Sequence, residues 1–112
     1  MRFDRTKDTL LDMRDNLFLA LEWTGALSLE AFAEDQMRFY AVTRCLEIIS
    51  EASRRLPDKL YARHPAYAWR QMQDAGNVYR HQYDGVTEDR VLESVRGYLP
   101  ALLAIIEAEL SS

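Results

Sequence analysis

One short segment of the 112-residue chain collects side chains that can act on a phosphate. Residues 76–84 read Gly-Asn-Val-Tyr-Arg-His-Gln-Tyr-Asp, and the groups of interest are Asn77, Arg80, His81 and Tyr83. Imidazole titrates near neutral pH and commonly moves protons in catalysis, while a guanidinium can hold two phosphate oxygens at once. The segment could therefore support acid–base chemistry at a phosphate. A polar helix end with a favourable cation is the alternative interpretation, and the residues alone leave it open.

The other reactive side chains are better explained by structure. His64 stands directly before Pro65 and is expected to end a helix at the surface. The single cysteine, Cys45, lies beside an apolar helix face, so we expect a small buried hydrophobe and not a nucleophile. One cysteine cannot form an internal disulfide or a zinc cluster, which is typical of a reducing compartment, and a cytoplasmic location is expected. No metal and no cofactor is predicted.

The charge of the chain is uneven. Fourteen Lys and Arg against 18 Asp and Glu give a net charge of −4, which argues against a non-specific coat for nucleic acid. Residues 53–70 nevertheless hold five basic side chains and one acidic one, a local charge of +4 (5 − 1), so the rest of the chain carries −8 (−4 − 4). Such a stretch is either a solvated face or a rim that faces phosphate.

Helices must position these side chains, because 4 Gly and 3 Pro are too few for an all-β fold. Apolar periodicity predicts helices over residues 4–23, 29–33, 35–56 and 67–82 and from residue 87 onward, with one or two turns over 58–63. Gly25 and Pro57 are the expected stops, and Ser28 and Asp35 the expected N-caps. The result is a single all-α domain over residues 1–112, an antiparallel bundle of four main helices. The first residues resemble neither a signal peptide nor a membrane span.

The same periodicity predicts the core. The second long helix should bury one face, formed by Phe39, Val42, Leu46, Ile49 and Ala52, and the third should bury Trp69, Met72 and Val78. Gly76 is unfavourable inside a helix and often marks a close backbone approach. Pro100 should kink or break the last helix near Tyr98.

An ordered set of residues resembles the HepT-like toxin family of the HEPN superfamily. The set comprises Leu46-Glu47-Ile48-Ile49-Ser50-Glu51-Ala52-Ser53-Arg54-Arg55-Leu56, Arg63-His64-Pro65, Trp69-Arg70, Asn77, His81-Gln82-Tyr83 and Leu99-Pro100-Ala101-Leu102-Leu103. The resemblance covers nearly the whole chain. It implies a dimeric helical bundle that cleaves RNA without a metal. It also implies a toxin–antitoxin pair in which a minimal nucleotidyltransferase is the antitoxin.

The resemblance also implies roles for the four polar residues. His81 would act as acid and base, Arg80 would stabilise the charge on the phosphorane, and Asn77 would orient the imidazole or the phosphate. Tyr83 would line the cleft and receive AMP from the partner. The family usually has Arg directly before Asn77, where Gly76 stands here. Whether Arg80 replaces that guanidinium is left open.

Two other functions compete with a toxin ribonuclease. One is a catalytically degenerate helical dimer that binds its nucleotidyltransferase partner without cleaving RNA, and Gly76 is the evidence for it. The other is a small regulatory bundle that binds RNA or a ligand by stacking on Trp23, Trp69 and tyrosines, although core packing explains most of these aromatics.

Overall fold

The computed structural model describes residues 4–81 and 87–112, with the backbone alone at 77–81. Every regular element in this part of the chain is a helix, so the predicted all-α class is confirmed there. The helices are α1 Thr6–Thr24, α2 Leu29–Glu34, α3 Gln36–Ser53, α4 Asp58–Arg63, α5 Trp69–His81 and α6 Glu88–Ser111. None of these described helices is long and apolar enough to cross a membrane.

The helix boundaries follow from local chemistry. Gly25 follows α1 with φ 46°, a left-handed conformation that costs glycine little. The Ser28 hydroxyl accepts the backbone N–H of Ala31 at 3.1 Å, and the Asp35 carboxylate accepts that of Arg38 at 3.0 Å. Both predicted N-caps are confirmed, and each satisfies a donor that the first turn of a helix leaves free.

The main differences from the predicted helices are at the end of α3 and at Pro100. Helix α3 ends at Ser53, three residues early, because the chain tightens there: the N–H groups of Arg54 and Leu56 bond to carbonyls three residues back. Helix α6 runs through Pro100, so the predicted break is wrong. Proline removes one backbone hydrogen bond, but the fully buried Leu99 and Leu102 hold both flanking turns on the core. The kink, the other outcome expected there, stays a prediction.

Helix α3 is central to the packing. Its predicted apolar face is confirmed, because Phe39, Val42, Leu46, Ile49 and Ala52 are all buried. Helices α1 and α5 both pack against α3, and α1 also contacts α6. In α5, Met72 is buried as predicted, whereas Trp69 is only half-buried because it lies at the first turn of the helix. The side chain of Val78 lies outside the described residues.

A carboxylate near the end of α6 ties that helix to α4. The Glu109 side chain, 10% exposed, accepts two hydrogen bonds from the Arg63 guanidinium, Nη2 to Oε1 at 2.6 Å and Nε to Oε2 at 3.0 Å. His64, which follows α4 as its C-cap, places Nε2 2.7 Å from Oε2 of the same carboxylate. The Arg63 hydrogen bonds lower the pKa of Glu109 to about 2. The prediction that His64 ends a helix is confirmed, since it is the C-cap of α4, and its side chain is half-buried.

Candidate active site

The predicted catalytic residues lie at the end of α5. Asn77, Arg80 and His81 all fall within this helix, which ends at His81. With 100° of rotation per residue, positions 77, 80 and 81 lie within an arc of about 100° on one side of the helix. The backbone therefore brings the three positions to one side of the helix. Their side chains and Tyr83 lie outside the described part of the chain, so their roles stay predictions.

The described residues of α5 define the face on which these positions fall. Arg70 and Asp74 are exposed, whereas Met72 is buried. Positions 77 and 81 follow Arg70 and Asp74 at the i, i+4, i+7, i+11 spacing of one helix stripe. By helical register, the Asn77 and His81 positions continue the stripe whose first two members face solvent.

Gly76 lies where α5 packs closely on α3. A Cβ atom added at Gly76 would lie 2.2 Å from Cβ of Ser50 and 3.0 Å from the carbonyl oxygen of Leu46. The first distance is too short for any side chain, and the second is a tight contact. The close backbone approach predicted at Gly76 is confirmed. An arginine at position 76, as the usual family pattern has it, would not fit without moving α5 away from α3.

Two side chains that sequence reasoning had not assigned to the site hold α5 in this position, Ser50 of α3 and Arg54, which directly follows α3. The Ser50 hydroxyl donates to the carbonyl oxygen of Gln73 at 2.7 Å, and Nη2 of Arg54 donates to the same oxygen at 3.2 Å. Both residues lie within the stretch of residues 46–56 that carries the family resemblance, but their partner is 23 and 19 residues away. They fix the helix that carries His81 at a point eight residues before it.

A hollow of about 320 Å³ adjoins Gly76 between α3, α5 and α6. Its polar lining includes Asp74, Arg90, Glu93 and Ser94, and Tyr98 closes part of the wall. The mixture of carboxylates with a guanidinium provides no uniform field for an anion. The hollow borders the segment of α5 that carries the candidate catalytic residues.

The basic stretch of residues 53–70 is divided among three places. Arg63 is paired with Glu109. Arg55 and Lys59 line a hollow beside the start of α1. Arg54 and Arg70 line a separate cleft at the start of α5. The basic stretch is therefore not one continuous patch. Of its five basic residues, only Arg70 lies on α5, the helix that carries the candidate catalytic residues, and Arg54 contacts that helix.

Cys45 has the structural role expected of it. The residue is 4% exposed, and burial raises the pKa of its thiol. Within the ranges 4–81 and 87–112, no three His, Cys, Asp or Glu side chains lie close enough together to hold a metal ion.

Comparison with known proteins gives a consistent result. A family model described as "Ribonuclease HepT-like" matches residues 13–109. A Thermococcus cleftensis protein named "Probable ribonuclease HepT" is 34% identical over 96 residues, which cover 86% of this chain and 87% of the relative. A Methanocaldococcus jannaschii protein with an RNase name is 29% identical over 101 residues, 90% of this chain and 93% of its own. Both names present the activity as provisional. No solved structure matches the chain.

Proposed function

The chain belongs to the HepT-like ribonuclease family, and from that membership we propose that it is a metal-independent endoribonuclease, the toxin of a toxin–antitoxin pair. The observation that carries the proposal is the placement of Asn77, Arg80 and His81 in one arc at the end of α5, within the matched residues 13–109. Amide, guanidinium and imidazole are the chemical groups that a reaction at a phosphodiester uses.

The chemistry uses a nucleophile that RNA already carries. The 2′-hydroxyl attacks the adjacent phosphorus, the 5′-oxygen leaves, and the products are a 2′,3′-cyclic phosphate and a 5′-hydroxyl end. One proton must leave the attacking hydroxyl and one must reach the leaving oxygen. His81 performs this transfer, Arg80 stabilises the extra negative charge on the phosphorane, and Asn77 orients the imidazole or the phosphate.

Two copies of the chain build the groove in this proposal. A 13.0 kDa protein with net charge −4 offers little surface to RNA. A two-fold axis beside the end of α5 would bring two His81 side chains to one strand, one as base and one as acid. We therefore assign the active form as a homodimer.

A minimal nucleotidyltransferase is the proposed antitoxin, and Tyr83 is the proposed target. Tyr83 stands two residues after His81, so AMP attached there would place a phosphate and a base at the groove. Negative charge and bulk at that point would repel and block RNA.

The alternative function is a catalytically degenerate dimer, and in the sequence only Gly76 favoured it. The contact with Ser50 supplies a packing reason for glycine at that position, so the absence of arginine there has an explanation besides lost activity. The active ribonuclease is the function best supported.

Induced expression in a host without the antitoxin tests the proposal. The wild-type chain should arrest growth and His81→Ala should not. Equal growth of both strains, with both proteins folded and abundant, would contradict a toxin function.

A further inference from the structure

A second cleft lies at the opposite end of α5 from His81. It has a volume of about 410 Å³ and is open to solvent. Its lining combines two guanidinium groups, two aromatic rings and one amide, from Arg54, Arg70, Tyr61, Trp69 and Gln73. This is the composition with which proteins hold single-stranded nucleic acid: cations for the phosphates and aromatic surfaces for unpaired bases.

The aromatic part of the cleft is fixed before any ligand arrives. Nε1 of Trp69 donates to the carbonyl oxygen of His64 at 3.0 Å. The rings of Tyr61 and Tyr67 each meet the Trp69 ring edge-on, with centroids 4.9 Å apart. The Tyr61 hydroxyl donates to the carbonyl oxygen of Ser53. A ring held by contacts from several sides loses little side-chain freedom when a base packs against it.

The cations of the cleft are more available to a ligand than three other arginines, which form ion pairs. Arg38, Arg44 and Arg63 each form an ion pair with a carboxylate. Arg70 is exposed and forms no ion pair or hydrogen bond with any residue that the structure describes. Arg54 donates one N–H to the Gln73 carbonyl, which leaves the other donors of its fork for a ligand.

The register of α5 connects the cleft to the candidate active site. Arg70 is seven residues before Asn77 and eleven before His81, which the helical rise converts to about 10 Å and about 16 Å along the axis. All three positions belong to one stripe. A single strand laid along this face reaches both ends within a few nucleotides. The exposed Asp74 between them disfavours a phosphate at its own level.

We propose that this cleft is a second RNA contact site, in which Arg54 and Arg70 bind a backbone phosphate while Trp69 packs against an unpaired base. The inference rests on the proposed ribonuclease function and adds a subsite to it. It gives two of the five basic side chains of residues 53–70 a role in an otherwise acidic chain. It also predicts a preference for single-stranded RNA, because a paired base cannot reach the tryptophan.

Binding measured without cleavage tests the subsite. The probe is a fluorescein-labelled 2′-O-methyl RNA of about 12 nucleotides, which has no free 2′-hydroxyl to react. Its affinity for the full chain is measured by anisotropy at several salt concentrations. Arg70→Gln is the test variant. Arg44→Gln is the matched control, since Arg44 is 63% exposed, pairs with Glu47 and does not line the cleft.

Arg70→Gln should weaken binding by about tenfold, because one charged hydrogen bond to a phosphate is lost. The slope of log K against log salt concentration should become shallower by about 0.7, the value for one phosphate contact with a single strand. Arg44→Gln should bind as the wild type does, and an unlabelled duplex of the same sequence should compete poorly.

Wild-type affinity of Arg70→Gln would overturn the subsite and would leave the cleft as a surface for a protein partner. Equal weakening by both variants would also overturn it, because it would indicate a diffuse field. A wild-type chain that neither binds nor cleaves RNA would instead refute the proposed function itself.

Discussion

Gly76 of α5 and Ser50 of α3 meet where a Cβ on the glycine would lie 2.2 Å from Cβ of the serine. The same serine donates its hydroxyl to the Gln73 carbonyl one turn earlier on α5. The two contacts fix both the distance and the register of the helix that ends at His81. The glycine that departs from the usual family pattern is thus a condition for placing the candidate site.

Gly76→Ala should destabilise the protein by roughly 1–3 kcal/mol, because the gain in helix propensity is smaller than the cost of overpacking against α3. Gly97→Ala is the matched control, since Gly97 also lies inside a helix and an added Cβ there meets nothing within 4 Å. The control should gain about 0.5–1 kcal/mol. Urea unfolding of both variants measures the difference. Equal stabilisation by both would show that α5 is not packed closely on α3 at Gly76.

The Glu109 ion pair predicts a dependence of stability on acid. The folded-state pKa of Glu109, about 2, lies below its ordinary value of 4.5, so the unfolded chain binds the proton more readily. The contribution of the ion pair to the free energy of unfolding is present above about pH 4.5 and is lost as the pH falls towards 2. Because Arg63 is half exposed, the effect should be on the order of 1 kcal/mol. Glu109→Gln should flatten the stability profile over this range, and an unchanged profile would contradict the assignment.

Co-expression with a minimal nucleotidyltransferase, the proposed antitoxin, tests Tyr83. Under the proposal, intact mass spectrometry should show gains in units of AMP, because the antitoxin would transfer adenylyl groups to the phenol. Tyr83→Phe should show none. Tyr40→Phe is the control, since Tyr40 is 53% exposed and lies on α3. Loss of the adduct in Tyr40→Phe would assign the modification to Tyr40. No adduct on the wild-type chain with an active partner would refute the modification.

Sedimentation at tens of micromolar tests the composite groove. The proposal requires a mass twice the 13.0 kDa of one chain, because one copy holds a single His81. A monomer at that concentration would remove the mechanism in which two His81 side chains share one strand.

Local chemistry was readable from the sequence. Ser28 and Asp35 cap helices through hydrogen bonds that span only three residues, so residue types at fixed offsets predicted them. The i, i+4 relation of positions 77 and 81 on α5 likewise needed only helical spacing. Their catalytic roles came from the family resemblance, which spacing alone cannot replace.

Contacts between distant parts of the chain could not be read in this way. Gly76 was recognisable as unfavourable in a helix, but its partner Ser50 lies on another helix. The link between His64 and Glu109 spans 45 residues. The break predicted at Pro100 was wrong because the burial of Leu99 and Leu102 opposes the local effect of the proline, and that burial depends on the other helices.

The most direct test is cleavage of a single-stranded RNA by the purified chain in excess EDTA, comparing the wild type with His81→Ala. His64→Gln serves as the control for the other histidine, which the structure engages with Glu109. The wild type and His64→Gln should cleave, and His81→Ala should be slower by about 10²–10⁴-fold at an unchanged melting temperature. Cleavage by His81→Ala at the wild-type rate, or no cleavage by a folded wild-type dimer, would contradict the account.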